Sequence, residues 1–374
     1  MKIALIYQYS YPKNLGGGEK RLYEIFSRFE ENIDWYSLYN EQIHKLKNLN
    51  YKFFLNKKLK RRSISETILW VFFALKIPFK NYDILHVGQM PFFHLLALLL
   101  KQKIFYFLGI KTPIISIDWW EYWGKYWNKF YLPKNIIGII TEKIILKLAK
   151  NIIVISSKSE KDIIKHTNAE IRIIHNGVNL EQISNIEPSQ KSNFIFFGRI
   201  EDHKRVDLAI DVFRELVKLN PLYTFNIIGD GPQKKILEEY VKKHRLSQNI
   251  SFLGRVESNE EMFSIIKGSD CGLFFNSQEG GGSIALFEAN ACGVPVAHSF
   301  TSNGIDKNLI TENNGFYFDN FNKINIANHL HSYIIDKNRV KKMRESSTKF
   351  VEKYDWDQIA VEYKNYFSKL IKIK

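Results

Sequence analysis

The chain has 374 residues, and its 54 Lys and Arg outnumber its 39 Asp and Glu, which gives a formal net charge of +15. Apolar residues make up 45% and charged residues 25%, the composition of a folded globular protein, which excludes disordered and collagen-like chains. Two cysteines, Cys271 and Cys292, are too few for a disulfide framework or a cysteine zinc site. Because an apolar run follows Met1-Lys2 directly, we expect no secretory signal and a cytoplasmic location.

Short β-branched or aromatic runs alternate with helical patterns along the whole chain, which predicts a parallel α/β architecture. The predicted strands of the first half are Lys2–Tyr7, Ile33–Tyr39, Asp83–Val87, Lys103–Phe107, Pro113–Ile117, Ile152–Ile155 and Ile171–Ile174. Those of the second half are Asn193–Phe197, Thr224–Ile228, Ile250–Leu253, Asp270–Phe275, Val294–Ala297 and Gly315–Phe318. An apolar 3.6-residue period from Val206 to Val217 and a capping box from Ser258 to Glu261 predict two of the helices.

The polar stretch 183–192 separates two halves of similar size, so we predict a linker there. The halves are predicted to be doubly wound, Rossmann-like domains with parallel sheets, residues 1–182 and 193–354, followed by a helix over 355–374. In such sheets ligands bind beyond the carboxyl ends of the strands, so the loops at those ends are the candidate functional segments.

A glycine-rich turn, Asn14-Leu-Gly-Gly-Gly-Glu19, follows the first predicted strand and precedes a helical pattern. Glycines there let the backbone approach a ligand, and a helix N-terminus favours an anion. The turn has neither the dinucleotide fingerprint nor the phosphate loop of nucleoside triphosphatases. On its own it is equally compatible with a plain flexible turn.

Two loops of the second half follow predicted strands. The first places Arg199 and Lys204 together, a forked donor and a point charge that suit a diphosphate, with two solvated surface cations as the alternative. The second is the tight turn Gly229-Asp-Gly-Pro232, which is either structural or lines the ligand.

The segment from Glu279 to Glu288 reads Glu-Gly-Gly-Gly-Ser-Ile-Ala-Leu-Phe-Glu and is the most informative part of the sequence. Backbone N–H groups at the start of its predicted helix can receive phosphates. Its two carboxylates can accept hydrogen bonds, one from sugar hydroxyls and the other from ribose hydroxyls. This arrangement is suited to holding a nucleotide sugar at both ends.

These motifs resemble those of the family-4 retaining glycosyltransferases with the GT-B fold. Further matching segments are Ile153-Val-Ile-Ser156, Asn176-Gly-Val-Asn179, Ala291-Cys-Gly-Val-Pro-Val296 and Asn314-Gly-Phe316. The resemblance implies two Rossmann-like domains facing a cleft, with a C-terminal helix that crosses back to the first domain. It also implies transfer of a sugar from a nucleoside-diphosphate sugar with retention of anomeric configuration and without a further cofactor.

The resemblance also implies roles for named residues. Arg199 and Lys204 would hold the donor diphosphate, Glu288 the ribose and Glu279 the transferred sugar. Arg199, Lys204 and Glu279 are therefore the catalytic candidates. The remaining donor-binding candidates are Gly17, Gly18, Gly229, Gly282, Ser283 and Ile284.

Two features depart from the family pattern. Eight residues separate Glu279 from Glu288 where the family usually has seven, and Asp118 follows a predicted strand where the family often has a histidine. Nearby tryptophans can stack on a sugar, meet a membrane interface or pack between domains. The acceptor-side candidates are His86, Asp118, Trp120 and Glu121, with a packed histidine as the alternative for His86.

Residues 41–80 contain ten Lys or Arg and two Glu, interleaved with seven aromatic residues. This composition predicts peripheral contact with anionic lipid on the inner face of the cell membrane, with a solvated face as the alternative. No nucleic-acid-binding module is recognisable, so we expect no nucleic-acid partner. The longest apolar runs, Ile68–Leu75 and Pro91–Leu100, are shorter than the ~20 residues that span a bilayer.

The predicted function is a retaining hexosyltransferase that moves a sugar from a UDP or GDP sugar to a glycan or lipid-linked acceptor, in the synthesis of cell-surface polysaccharide, glycolipid or glycoprotein glycan. No metal-ligand spacing is recognisable, so we expect metal-independent chemistry. One alternative is a catalytically silent binding subunit, which the displaced Glu279 and the missing histidine would suit. Another is a nucleotide-sugar epimerase of the same fold, which needs no acceptor.

Overall fold

The computed structural model describes residues 1–11, 16–39, 48–56, 63–277, 282–299 and 304–373. The chain divides into two compact units. The first comprises Met1–His175 and Trp356–Lys374, and the second comprises Asn176–Asp355. The stretch 183–192 lies inside the second unit.

The first unit is built on a sheet of seven parallel strands in the order β3-β2-β1-β4-β5-β6-β7. These strands are β1 Ile3–Ile6, β2 Ile33–Tyr39, β3 Leu49–Leu55, β4 Ile84–Gly88, β5 Ile114–Trp119, β6 Asn151–Val154 and β7 Glu170–Ile173. The helices between them are α1 Gly17–Phe26, α2 Ile64–Lys76, α3 Phe93–Phe107, α4 Lys134–Leu148 and α5 Ser157–Ile163. Since β1 pairs with both β2 and β4, the strand order reverses there, and the carboxyl ends of β1 and β4 mark the expected ligand edge.

The second unit has a sheet of six parallel strands in the order β10-β9-β8-β11-β12-β13. These strands are β8 Ser192–Phe197, β9 Phe225–Ile228, β10 Ile250–Gly254, β11 Ser269–Leu273, β12 Val296–Ser299 and β13 Gly315–Phe318. The helices are α6 Leu180–Ser184, α7 Val206–Leu219, α8 Lys234–Lys243, α9 Asn259–Lys267, α10 Ile284–Ala291, α11 Lys323–Ile335 and α12 Lys337–Val351. The strand order reverses between β8 and β11.

The last helix, α13 Trp356–Ile373, belongs to the first unit and packs against α1. Its buried face includes Tyr363 and Phe367, whose rings lie 5.7 Å and 6.1 Å from the ring of Phe26. The Arg28 guanidinium, just after α1, also donates to the Asp357 carboxylate at 2.5 Å. The end of the chain thereby completes the core of the unit that contains its beginning.

Two predicted helices of the second unit are confirmed. The Ser258 hydroxyl accepts the N–H of Glu261 at 3.3 Å and caps α9, as the capping box predicts. The apolar positions of α7 that repeat with the helical period are buried in the core, among them Val206, Ile210 and Phe213. The capping box therefore located α9, and the apolar period located α7 because one face of that helix packs in the core.

The predicted strand Lys103–Phe107 is wrong, and β3 has no counterpart among the predicted strands. Residues 103–107 form the end of α3, where an outward-facing apolar surface interrupts the usual amphipathic pattern: Phe107 is 75% exposed. β3 pairs with β2 at the edge of the sheet, and it lies within the basic stretch 41–80. Seven of the ten cations of that stretch lie outside the described residues.

Among the described segments, no helix combines the length and the hydropathy that crossing a bilayer requires.

Candidate active site

The carboxyl edge of the second sheet brings two predicted segments together. The loop after β8 carries Arg199, His203 and Lys204, and the chain after β11 leads towards α10. The N–H of Ser277 donates to the His203 carbonyl at 2.8 Å, and the Ser277 hydroxyl donates to the same oxygen at 3.2 Å. The cationic loop is therefore tied to the segment that enters α10, at the point where the strand order reverses.

The Arg199 guanidinium is 64% exposed and donates to the Glu201 carboxylate at 2.6 Å. The other oxygen of Glu201 lies 3.3 Å from Nδ1 of His203. Glu201 was not among the predicted site residues. Its position two residues after Arg199, in a loop with several cations, is the sequence feature that could have identified it as the partner of Arg199. The contact with Glu201 uses Nη1 of Arg199, and a guanidinium has five N–H donors, so an anionic ligand can bind Arg199 beside Glu201 or in its place.

The start of α10 offers backbone donors next to a buried carboxylate. Ser283 is the N-cap residue, and among the described residues its side chain makes no capping hydrogen bond. In the first turn the N–H of Leu286 donates to the Ser283 carbonyl at 3.2 Å, and the helix N-terminus as a whole favours an anion. The Asn176 side chain donates to the carbonyl of Gly282 and fixes the chain before the helix. Glu288 lies one turn into α10 and is 8% exposed. Glu279 lies outside the described residues. Asn176 belongs to a segment that resembles the family, but no role was predicted for its side chain.

Gly229 supports the cationic loop through close backbone packing. Its φ of +136° favours glycine, and a Cβ there would lie 1.9 Å from the carbonyl oxygen of Gly198. The N–H of Gly198 donates to the Ile228 carbonyl at 3.0 Å. This packing gives the turn a structural role, because it positions the start of the Arg199 loop, and Gly229 stays a donor-binding candidate.

In the first unit, the N-terminus of α1 lies beside Trp120. A Cβ on Gly18 would lie 3.9 Å from the Trp120 ring, and that ring stacks on Tyr7 at a centroid distance of 5.9 Å. The side-chain oxygen of Gln89 accepts the N–H groups of Trp120 at 2.6 Å and Glu121 at 3.1 Å. Gly17, Gly18, Trp120 and Glu121 thus gather at the carboxyl ends of β1, β4 and β5. Gln89, which holds the loop, was not predicted.

Asp118 does not belong to that surface. It is fully buried, and it accepts hydrogen bonds from the hydroxyls of Tyr7 at 2.8 Å and Tyr363 at 3.4 Å. The Arg21 guanidinium lies 3.6 Å from its carboxylate and also donates to the carbonyl of Ile174 at 2.7 Å. We therefore withdraw Asp118 as an acceptor-side candidate, because its carboxylate links α1 and α13 to the sheet.

His86 is likewise withdrawn as an acceptor-side candidate. It lies within β4, is fully buried, and its ring contacts Phe26, Tyr363 and Phe367 at centroid distances of 5.5 to 5.6 Å. Burial lowers the pKa of its imidazole to about 4, so the ring is neutral at pH 7. The packed-histidine alternative describes its environment.

Two carboxyl groups accept backbone N–H groups of the tryptophan-rich loop. Asp162 accepts the N–H of Trp123 at 2.6 Å, and Glu142 accepts the N–H of Gly124 at 3.1 Å. Burial raises the pKa of Glu142 to about 8. Trp119 and Trp127 pack in the core, whereas Trp120 and Trp123 are half-buried. Trp120 stacks on Tyr7 and Trp123 on His166.

Two family models match consecutive parts of the chain. The model of Glycosyltransferase Family 4 matches residues 16–182, and the model of Glycosyl transferases group 1 matches residues 179–350. The chain belongs to the family-4 glycosyltransferases. This membership, together with the two parallel-sheet units, identifies the chain as a glycosyltransferase of the GT-B type.

Individual relatives of this glycosyltransferase are distant. An uncharacterized glycosyltransferase of Methanocaldococcus jannaschii is 28% identical over 199 residues, which are 53% of this chain and 53% of that protein. The chain spans about half the length of the curated relatives it matches. Among clusters of His, Cys, Asp and Glu in the described segments, none has the composition of a metal site.

Solved structures share its fold. The sucrose-phosphate synthase from Thermosynechococcus elongatus superposes with a TM-score of 0.77 at 16% identity, and the match covers 100% of both chains. HepE of Anabaena in complex with UDP-glucose superposes with a TM-score of 0.73 at 16% identity, and the match covers 99% of this chain and 100% of that one. At this level of identity the likeness concerns the fold.

Proposed function

We propose that this glycosyltransferase is a retaining, metal-independent hexosyltransferase that uses a UDP or GDP sugar as donor and a glycan or lipid-linked acceptor. Its place would be cell-surface glycan synthesis at the inner face of the cell membrane. The observation that carries the proposal is the pair of hydrogen bonds from Ser277 to His203, which joins the cationic loop to the segment entering α10. The UDP-glucose complex of HepE supports a uridine donor, and the family resemblance supports retention.

The proposed donor site uses charges and backbone dipoles of the second unit. Arg199 and Lys204 stabilise the negative charge that grows on the diphosphate as it departs. The N–H groups of Ser283 and Ile284 donate to the same anion at the N-terminus of α10. Glu288 accepts hydrogen bonds from the ribose hydroxyls, and Glu279 holds the transferred sugar.

The proposed reaction exchanges one bond of the anomeric carbon for another. The bond to the diphosphate oxygen breaks with its electron pair going to the diphosphate, and the acceptor hydroxyl oxygen forms the new bond. The proton of that hydroxyl passes to the departing diphosphate. Because two cationic side chains and a helix N-terminus can offset this charge, the step needs no metal ion.

A first test is an assay with purified protein, UDP-glucose, UDP-N-acetylglucosamine or GDP-mannose, and EDTA throughout. We expect one donor to raise the melting temperature and to release nucleoside diphosphate when lipid-linked or glycan acceptors are added. NMR of the product should show the anomeric configuration of the donor. Abolition of transfer by EDTA would contradict metal independence, binding without release would favour the silent subunit, and conversion of the donor without acceptor would favour the epimerase.

A second prediction concerns the acceptor side. Trp120→Ala is expected to raise the KM for the acceptor about tenfold, because the aromatic side chain that stacks on Tyr7 at the edge of the first sheet would be lost. The KM for the donor should change less, because the charged groups of the proposed donor site belong to the second unit. The matched control is Trp123→Ala, whose ring stacks on His166 at 4.4 Å instead of on Tyr7. Equal kinetic effects of the two substitutions would contradict an acceptor role for Trp120.

A further inference from the structure

Helices α2, α3 and α4 form one layer on the first sheet. α2 and α3 are joined where the Lys101 ammonium donates to the carbonyls of Leu75 at 2.7 Å and Ile77 at 2.8 Å, and α3 also packs against α4. Each helix buries one side: in α2 these residues are Glu66, Trp70 and Ala74. The opposite side of such a helix is normally polar.

In this layer the outward side of each helix is apolar as well. Its exposed residues recur at helical spacing and are Ile64, Ile68, Phe72 and Leu75 in α2, Leu100, Ile104 and Phe107 in α3, and Ile136, Ile140 and Ile144 in α4. We call these ten residues the three-helix apolar surface. One isoleucine of each helix, Ile68, Ile104 and Ile140, is 50%, 58% and 51% exposed. Large exposed apolar patches mark sites of association with a protein or a membrane.

The charges of the layer have one sign. Across these three fully described helices the acidic residues are Glu66 and Glu142, and both are buried. The cations reach the surface: Lys76, Lys103, Lys134, Lys143 and Lys147 are exposed. Long lysine side chains can lie along apolar surface and still place the ammonium group at a phosphate.

We propose that the three-helix apolar surface docks on an anionic lipid bilayer, with its apolar side chains at the boundary of headgroups and acyl chains and its lysines at lipid phosphates. This inference rests on the peripheral membrane location proposed above. It assigns the membrane contact to the three-helix apolar surface, of which only α2 lies within the basic stretch 41–80. Exposed Tyr106 and Tyr131 adjoin the surface, and tyrosine is favoured at a membrane interface.

The charge pattern favours lipid over a second copy of the chain. An isologous dimer through this surface would bring the lysines of one copy against those of the other, without an exposed carboxylate from these helices to offset them. An anionic bilayer supplies negative charge over the whole area, and each lysine near it adds favourable electrostatic attraction.

The proposal is tested by flotation of the full chain with vesicles of phosphatidylethanolamine and phosphatidylglycerol, without donor or acceptor. Wild-type protein should bind these vesicles and bind phosphatidylcholine vesicles more weakly. The triple variant Ile68→Gln, Ile104→Gln, Ile140→Gln should bind at least about tenfold more weakly, since it removes one apolar anchor from each helix. The far-ultraviolet circular dichroism of the variant shows that it is folded.

The matched control is Ile236→Gln, Ile324→Gln, Ile335→Gln, which makes the same change at three exposed helical isoleucines of the second unit and should bind like wild type. Equal binding of both triple variants would overturn the proposal. So would a shift from dimer to monomer in the first triple variant, measured by light scattering, with no vesicle binding by wild type. Because no sugar donor is present, failure of this test is distinguishable from failure of the proposed transferase activity.

Discussion

Arg199→Ala should lower the rate of sugar transfer about 10²–10³-fold at saturating donor. The proposed role of Arg199 is to stabilise charge that develops on the leaving diphosphate, and loss of one such donor typically has an effect of this size. The side chain is 64% exposed and its ion pair is with a carboxylate at the surface, so its removal should leave the fold intact. Single-turnover rates measured with the donor that the first assay selects would provide the value.

The second unit contains a matched control for this substitution. Arg255 follows β10, is 58% exposed, and pairs with Glu257 at 3.1 Å, two residues further along the chain, as Arg199 pairs with Glu201. β10 lies at the edge of the sheet, away from the reversal between β8 and β11. Arg255→Ala should therefore keep the wild-type rate. Similar rates for the two variants would show that Arg199 is a surface cation without a role in transfer.

Removal of Lys204 together with Arg199 should lower the rate of sugar transfer further. Lys204 lies on the same loop, at the end of the turn whose His203 carbonyl accepts both hydrogen bonds from Ser277. The double variant Arg199→Ala, Lys204→Ala should lose more activity than either single variant, although by less than the product of the two effects, since both side chains act on one diphosphate.

Local patterns predicted much of the fold and of the donor side. The helical period located α7 because that helix buries a single face, and the capping box located α9. The position of Arg199 just after a predicted strand indicated a loop at the carboxyl end of that strand. The same reasoning failed at Lys103–Phe107. An apolar run there indicates a strand only if its side chains are buried, whereas α3 exposes them.

Side-chain surroundings were the part that the sequence could not supply. Asp118 and Trp120 are two residues apart, yet one is fully buried and the other borders the edge of the sheet. The partner of Asp118 is Arg21, from the first helix of the chain, and Tyr363 reaches it from the last one. Contacts between residues so distant in sequence follow from the tertiary fold, and no local spacing encodes them.

The buried pair of Arg21 and Asp118 leads to the largest expected effect on stability. Arg21 is 2% exposed and Asp118 is fully buried, so neither charge can be solvated if the other is lost. Asp118→Asn should lower the free energy of unfolding by about 3–5 kcal/mol. Denaturant unfolding followed by the fluorescence of the first unit's tryptophans would measure it.

A second arginine near α1 supplies the control for this prediction. Arg28 donates to Asp357 at 2.5 Å, but Asp357 is 79% exposed, so Asp357→Asn should cost less than about 1 kcal/mol. Replacing both buried charges, with Arg21→Met and Asp118→Asn together, should recover part of the lost stability, because no unpaired charge then remains inside. Each folded variant should retain its transfer activity per molecule. The opposite result would be an Asp118→Asn variant that has lost transfer activity and kept its stability. That result would contradict a structural role for the pair of Asp118 and Arg21 and would indicate that the Asp118 carboxylate acts on the acceptor.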